Sequence, residues 1–280
     1  MKAHLAALDA EASAQRRRNR VPSRRTEQRM YSAARTSRLT NGFNPSSTSA
    51  DAELSSSHTM LRNRSRALVR DASYAKRAKL LVMNNVIGCG IGMQAQVMTT
   101  RDQLNDRVND DIEEVWEEWC EAENCHTGGR LGFCDFERNC MGQVFEAGEV
   151  LIRKHYRPFG PIGLPFSLEL IESERLAEDF VSLQVNPATG NQIRMGVEVD
   201  EFYRPVAYYI RKRHPNDLRW IGQQSDQVER VPADQIIHLA LVDRWPQTRG
   251  EPWLHTAARR LNDMDGYSEA EITRARVQAL

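Results

Sequence analysis

Hydrophobic period changes twice along this chain, and those two changes constrain the fold more than any single motif. Up to about residue 148 the apolar residues recur at helical spacing. From Glu149 they run in short alternating stretches bounded by proline and glycine, and from Pro252 the helical spacing returns. Helices first, then a β-rich insert, then a long helix make the chain α+β rather than a regular alternation of strand and helix.

The first helix is predicted over 59–85, where Leu61, Leu68, Ala75, Ala78 and Leu81 or Val82 share one face and arginines take the other. Gly88, Gly90 and Gly92 break it and lead into an alternating strand, Ile91 to Met98; a phosphate-binding turn has the reverse order, strand into helix. A second helix, about Asp102 to Ala122, buries Leu104, Val108, Ile112, Val115, Trp116 and Trp119 and turns its acids to water. A third runs from about Gly132 to Glu146. Strands are predicted at 150–156 and 166–171, a loop at Asn186-Pro-Ala-Thr-Gly-Asn191, a hairpin from Arg194 to Val199 and Pro205 to Lys212, and one further strand over Val228 to Leu241. The closing helix is predicted over Pro252 to Ala279, with Pro252 in its first turn.

The formal net charge of zero hides a segregation. Residues 1 to 38 carry ten Lys/Arg against three acids, whereas residues 101 to 125 carry ten acids against two arginines. A basic arm of the first kind attracts nucleic acid or an acidic protein surface, or is simply a solvated tail. Residues 39 to 58, with Asn44-Pro-Ser-Ser-Thr-Ser-Ala50 and Ser55-Ser-Ser57, read as a linker, so that His4 and His58 fall outside ordered structure. The 40% apolar share suffices for a core. No apolar run reaches bilayer-spanning length and the N-terminus lacks the apolar stretch of a secretory signal, so a soluble, cytosolic protein without a membrane partner is expected.

Five cysteines, an odd number, argue for reduced thiols. Cys120, Cys125, His126, Cys134 and Cys140 crowd together, but not at the spacings of zinc ribbons or fingers, and Cys134 and Cys140 suit a helix as small apolar residues. No Gly-x-Ser-x-Gly elbow, Walker loop or His-Glu-x-x-His occurs, and His238, alternating with Ile237 and Leu239, reads as a paired strand histidine. No catalytic set, cofactor or metal is expected.

Short phrases recur in order along the rest of the chain. They include Tyr31-Ser-Ala-Ala-Arg35, Met60-Leu-Arg-Asn-Arg-Ser-Arg-Ala-Leu-Val-Arg70, Asn84-Asn-Val-Ile-Gly-Cys-Gly-Ile-Gly92, Trp116 with Trp119, Gly148-Glu-Val-Leu-Ile152, Leu168-Glu-Leu-Ile-Glu-Ser-Glu174, Gly196-Val-Glu-Val-Asp200 and Arg204-Pro-Val-Ala-Tyr208. With Val231-Pro-Ala-Asp-Gln-Ile-Ile-His-Leu239 and Arg244-Trp-Pro-Gln-Thr-Arg-Gly-Glu-Pro-Trp-Leu254 they give the chain, from about residue 31 to 280, a sequence that resembles the portal proteins of lambda-type tailed bacteriophages.

That resemblance implies a portal fold: a disordered basic arm and linker over 1–55, a wing-like α+β domain over 56–195, a β-rich clip-like region over 196–247 and the start of a long stem helix over 248–280. Chains of that family are much longer, so it also implies a second half, with a tunnel loop, further long helices and a crown, beyond this sequence. The implied role is structural: a dodecameric ring at one capsid vertex that conducts double-stranded DNA. The partners implied are further copies of the chain, the terminase large subunit, head-completion and tail-connector proteins, and the major capsid and scaffold proteins. The implied place is the virion and, during assembly, the host cytoplasm. Arg244, Arg249, Gly250, Pro252 and Trp253 become candidates for a structurally essential turn or a subunit interface, with helix entry inside one subunit as the plainer alternative. Arg211, Lys212, Arg213 and Arg219 become candidates to face DNA or a motor subunit, or else form a solvated hairpin. Two other classes stay open, a basic-armed nucleic-acid-binding regulator and another adaptor of the phage head.

Overall fold

Ser49 begins the first helix of the computed structural model, which describes residues 38, 42, 47–182, 186, 189–217 and 227–279. Its Oγ accepts the backbone N–H of Ala52 at 3.3 Å, and Asp51 and Glu53 occupy the first turn, where the helix dipole favours negative charge. Helix α1 then runs over Ala50–Asp71. The stretch expected to be linker is therefore helical from Ala50, and His58, expected outside ordered structure, is fully buried. The buried stripe of α1 is Asp51, Leu54, His58, Arg62, Ser65 and Val69, which has helical spacing but is mostly polar, so hydropathy does not reveal it. The basic arm lies outside the described residues, apart from Arg38.

Ala72, in an extended conformation, separates α1 from α2 (Ser73–Val86), so the single helix expected over 59–85 is two. Val69, Ala72 and Ala75 at that junction pack on Phe145 and Leu254. The strand expected over 91–98 does not form. Its amides are taken by side chains of the next helix, Ala95 N–H by Glu113 at 2.8 Å and Val97 N–H by Asn109 at 2.7 Å, which leaves only an isolated bridge between Met98 and Leu104. Helix α3 (Asp106–Cys120) starts later than expected because Asn105 caps it. A single turn, α4 (Ala122–Cys125), and α5 (Phe133–Ala147) follow, and α5 ends at Gly148 in the left-handed region.

Strand β1 (Glu149–His155) lies at the centre of an antiparallel three-stranded sheet, between β2 (Ser167–Ile171) and β7 (Ile236–Ala240). A second antiparallel sheet orders β3 (Gln192–Arg194), β4 (Val197–Val199), β5 (Pro205–Arg211) and β6 (Val228–Pro232). The expected strand from Arg194 to Val199 is itself a hairpin, turned at Met195 and Gly196, both with positive φ. The expected strand over 228–241 is two strands in different sheets. A 3₁₀ turn at Ala233–Gln235 joins them, just after Pro232, which has no N–H to continue the ladder.

Alternation along β1 explains why it is buried on both faces. Leu151 joins Ile171, Leu176, Val197, Tyr208, Ile210 and Val231 in a core shared by both sheets. Val150 and Ile152 point the other way, into Trp119, Phe136, Cys140 and Leu168. The boundary expected between 195 and 196 thus falls inside one core, and β7, from the region expected to be clip-like, pairs with β1. The last helix, α6, covers Ala258–Gln278 rather than 252–279, because Pro252 to Ala257 are held in turns against the body. None of its residues is buried. Among the described residues no helix is long and apolar enough to cross a membrane.

Candidate functional site

Gly148 sends the chain from α5 into β1, and the first strand residue, Glu149, is wholly buried. Its carboxylate is met by Arg249, also wholly buried. Arg249 Nε donates to Glu149 Oε1 at 2.7 Å, Nη2 donates to the same oxygen, and Nη1 donates to the Met195 carbonyl at 2.9 Å. Ser173 Oγ donates to Glu149 Oε1 at 2.6 Å, while Gly250 N–H and His238 Nε2 reach Oε2 at 2.9 and 3.0 Å. Burial alone would raise the Glu149 carboxyl, but the Arg249 charge and the His238 hydrogen bond outweigh it and hold it well below the ordinary carboxylate range. Burial would likewise lower Arg249, yet the Glu149 charge holds it above its usual value.

A second layer surrounds this pair. Glu178 accepts from Arg62 and lies 3.3 Å from His58 Nδ1 and 3.7 Å from Arg249; Glu174 lies 3.1 Å from Arg62 Nε and 2.9 Å from Arg66. His58 Nε2 is 3.0 Å from the Gly250 carbonyl. Arg62, Arg66 and Arg249 thus balance Glu149, Glu174 and Glu178 inside the protein, as burial of charge demands. The Glu178 carboxyl is depressed: burial opposes ionisation, but His58, Arg249 and Arg62 overcome it. The network draws on α1, β1, β7, the segment after β2 and the loop before α6.

Two glycines make the crossing possible. A Cβ on Gly250 would lie 2.1 Å from the Gly148 carbonyl oxygen, and one on Gly148, at φ +88°, would lie 2.3 Å from the Glu251 carbonyl carbon. Pro252 is buried beside them rather than starting a helix. Trp253 N–H donates to the Phe145 carbonyl at 3.2 Å and its ring packs 5.9 Å from that of Phe145, with the side chain half exposed. Arg244 is exposed and bridges Glu53 at 3.2 Å and the Thr48 carbonyl. Arg249 and Gly250 therefore belong to the Glu149 network, Pro252 is buried after them, Trp253 packs on Phe145, and Arg244 sits at the surface. Of the second group, Arg211 pairs with Asp179, Lys212 donates to Gln227 at 2.9 Å, Arg213 is exposed, and Arg219 lies outside the described residues. Glu149, Ser173, Glu178, His58 and Arg62 are not visible as site residues in the sequence, because their partners are far away along the chain. A charged residue opening a run of apolar strand residues, as Glu149 does before Val150-Leu-Ile152, is the one signal that marks such a position.

With Glu149, Arg249 and His58 closed to solvent, this arrangement offers no substrate a way in; what it can do is lock the entry to α6 onto the sheets. Two of the crowded cysteines are buried thiols: Cys125 donates to the Cys120 and Leu131 carbonyls at 3.5 and 3.4 Å, and burial pushes Cys125 up to about 11 and Cys140 up to about 12. Glu172, Glu174 and His214 are the one group of metal-ligand type among the described residues, and Arg62 and Arg66 already neutralise its carboxylates. The surface of the described residues also carries open grooves. One of about 820 Å³ lies between α1 and α6 and is lined by Arg64, Asp71, His255 and Arg259; another, of about 250 Å³, is apolar and lined by Met93, Ile112, Val115, Trp116 and Phe166.

Residues 36–280 match the family of phage portal proteins of the lambda family. The chain belongs to that family. It is 32% identical over 254 residues to a probable portal protein of Halomonas phage phiHAP-1, covering 88% of this chain and 47% of that one. The chain thus spans about half the length of this portal relative. Among solved structures, it is similar to a chain in the neck of an empty gene transfer agent particle, at 13% identity and TM-score 0.44, covering 78% of this chain and 46% of that one. A chain from the virion of a native gene transfer agent particle gives 12% identity and TM-score 0.44 over 78% and 45% of the two chains.

Proposed function

We propose that this chain acts in a portal, the head-tail connector at one capsid vertex, as a subunit of a dodecameric ring through which double-stranded DNA enters and leaves. The observation that carries this reading is the portal-family match over residues 36–280. In it the sheets and helices α1 to α5 form the wing, and α6 begins the stem. A ring needs a head-to-tail contact between unlike surfaces with a closing rotation. α6, about 30 Å long at 1.5 Å per residue, supports such contacts because Met264, Tyr267, Ile272 and Val277 are exposed along it.

DNA that must slide is best held by weak, sequence-independent phosphate contacts, a role that suits Lys212 and Arg213 and the basic residues of 1–38. The terminase large subunit, the head-completion and tail-connector proteins, and the capsid and scaffold proteins are the partners this reading assigns, with assembly in the host cytoplasm and residence in the virion. Light scattering on the purified chain, paired with negative-stain microscopy, tests it: rings with a central hole are expected. A monodisperse monomer at every concentration would exclude ring closure by these residues.

A further inference from the structure

We infer that the apolar groove beside α3 is the seat for helix α2 of the next copy of this chain, making these two elements the unlike halves of the repeating contact. The inference rests on the ring reading above and names its surfaces. On α3, Ile112, Val115, Trp116 and Trp119 fall on one face by helical spacing and open a groove of about 250 Å³ closed by Met93 and Phe166. Val115 is 45% and Ile112 38% exposed, so the stripe leaves a contiguous apolar patch at the surface. Asp111 and Glu118, four residues before it and three after it, line the same edge, and both are exposed. Across the helix as a whole, seven acids face a single basic residue, Arg107.

Helix α2 carries the complement. Tyr74, Arg77 and Leu81 share its outer face at i, i+3 and i+7; Tyr74 is 68% and Leu81 44% exposed, Lys76 and Arg77 are exposed, and the helix has no acid. An arginine set between two apolar side chains on one helix thus matches a valine set between two carboxylates on the other. The two patches consist of different residues on different helices, as a contact that repeats head to tail requires. The apolar residues supply the buried centre and the charges fix orientation and partner choice.

Cross-linking decides the matter. The benzophenone amino acid p-benzoylphenylalanine replaces Leu81 in the 280-residue chain, and the adducts formed on irradiation are mapped by mass spectrometry. The expected product joins two copies, with the attachment in α3 or at Met93 or Phe166. Adding Asp111→Arg and Glu118→Arg should cut its yield at least tenfold, and adding Arg77→Asp to those two should restore most of it. Oligomers whose adducts map elsewhere overturn this interface and leave the ring reading standing. Absence of any intermolecular adduct, together with monomer by light scattering, overturns both.

Discussion

At the scale of single residues, Arg249 and Glu149 depend on each other more than on anything else. Truncating Arg249 leaves a carboxylate buried without its partner, so Arg249→Ala should destabilise by about 3–5 kcal/mol in urea titrations. The double variant with Glu149→Ala should cost less than the sum of the two singles, by about 0.5–3 kcal/mol. Gly250→Ala should leave little folded protein, since the added methyl meets the Gly148 backbone at 2.1 Å. Folded Glu149 and Glu178 both bind protons less tightly than unfolded glutamate, whose usual value is 4.5. Their stabilisation is therefore complete above that pH and is lost as the pH falls below it. The thermal midpoint should decline steeply on the acid side of pH 4.5, and Glu149→Gln should flatten that decline. In the sequence, Arg249 and Gly250 stand out within a dense run of special residues, whereas Glu149 looks like the edge of a strand. The two meet across 100 residues, a separation that no local pattern encodes.

At the scale of elements, legibility followed the chemistry of the buried face. Helix α5 and strands β1, β2 and β5 were readable because apolar side chains mark their buried positions. The stripe expected for α3 predicted the helix but not its burial, since Trp119 is buried while Leu104, Val108, Ile112 and Val115 are exposed. The start of α1 was not, since its inward face carries Asp51, His58, Arg62 and Ser65, polar groups satisfied by partners far along the chain. Ser49 nevertheless caps that helix, and Ser49→Ala should cost roughly 1 kcal/mol by urea denaturation. The missing strand at 91–98 has the alternation of a strand but no neighbour to pair with, its amides being held by Asn109 and Glu113. Trp119 carries more weight than any other side chain of α3, stacking on Phe166 and donating to its carbonyl at 2.8 Å. Trp119→Ala should therefore cost about 3–5 kcal/mol.

At the scale of the whole molecule, the α+β class and the portal family could be reached from sequence, and the return of β7 to pair with β1 could not. Two stretches of β-structure in sequence share one core in space, because β7 returns to pair with β1. For the assembled protein, DNA affinity should be weak and fall steeply with salt, and Lys212→Glu with Arg213→Glu should reduce the salt slope by about 1 per lost phosphate contact in fluorescence anisotropy. The ion pair between Glu149 and Arg249 also bears on inheritance. Neither partner can drift alone without passing through a lone buried charge, a loss that is a large share of the 5–15 kcal/mol that holds a typical domain together. A hybrid gene spliced between codons 149 and 249 should keep this buried pair only when each parent supplies its own half of it.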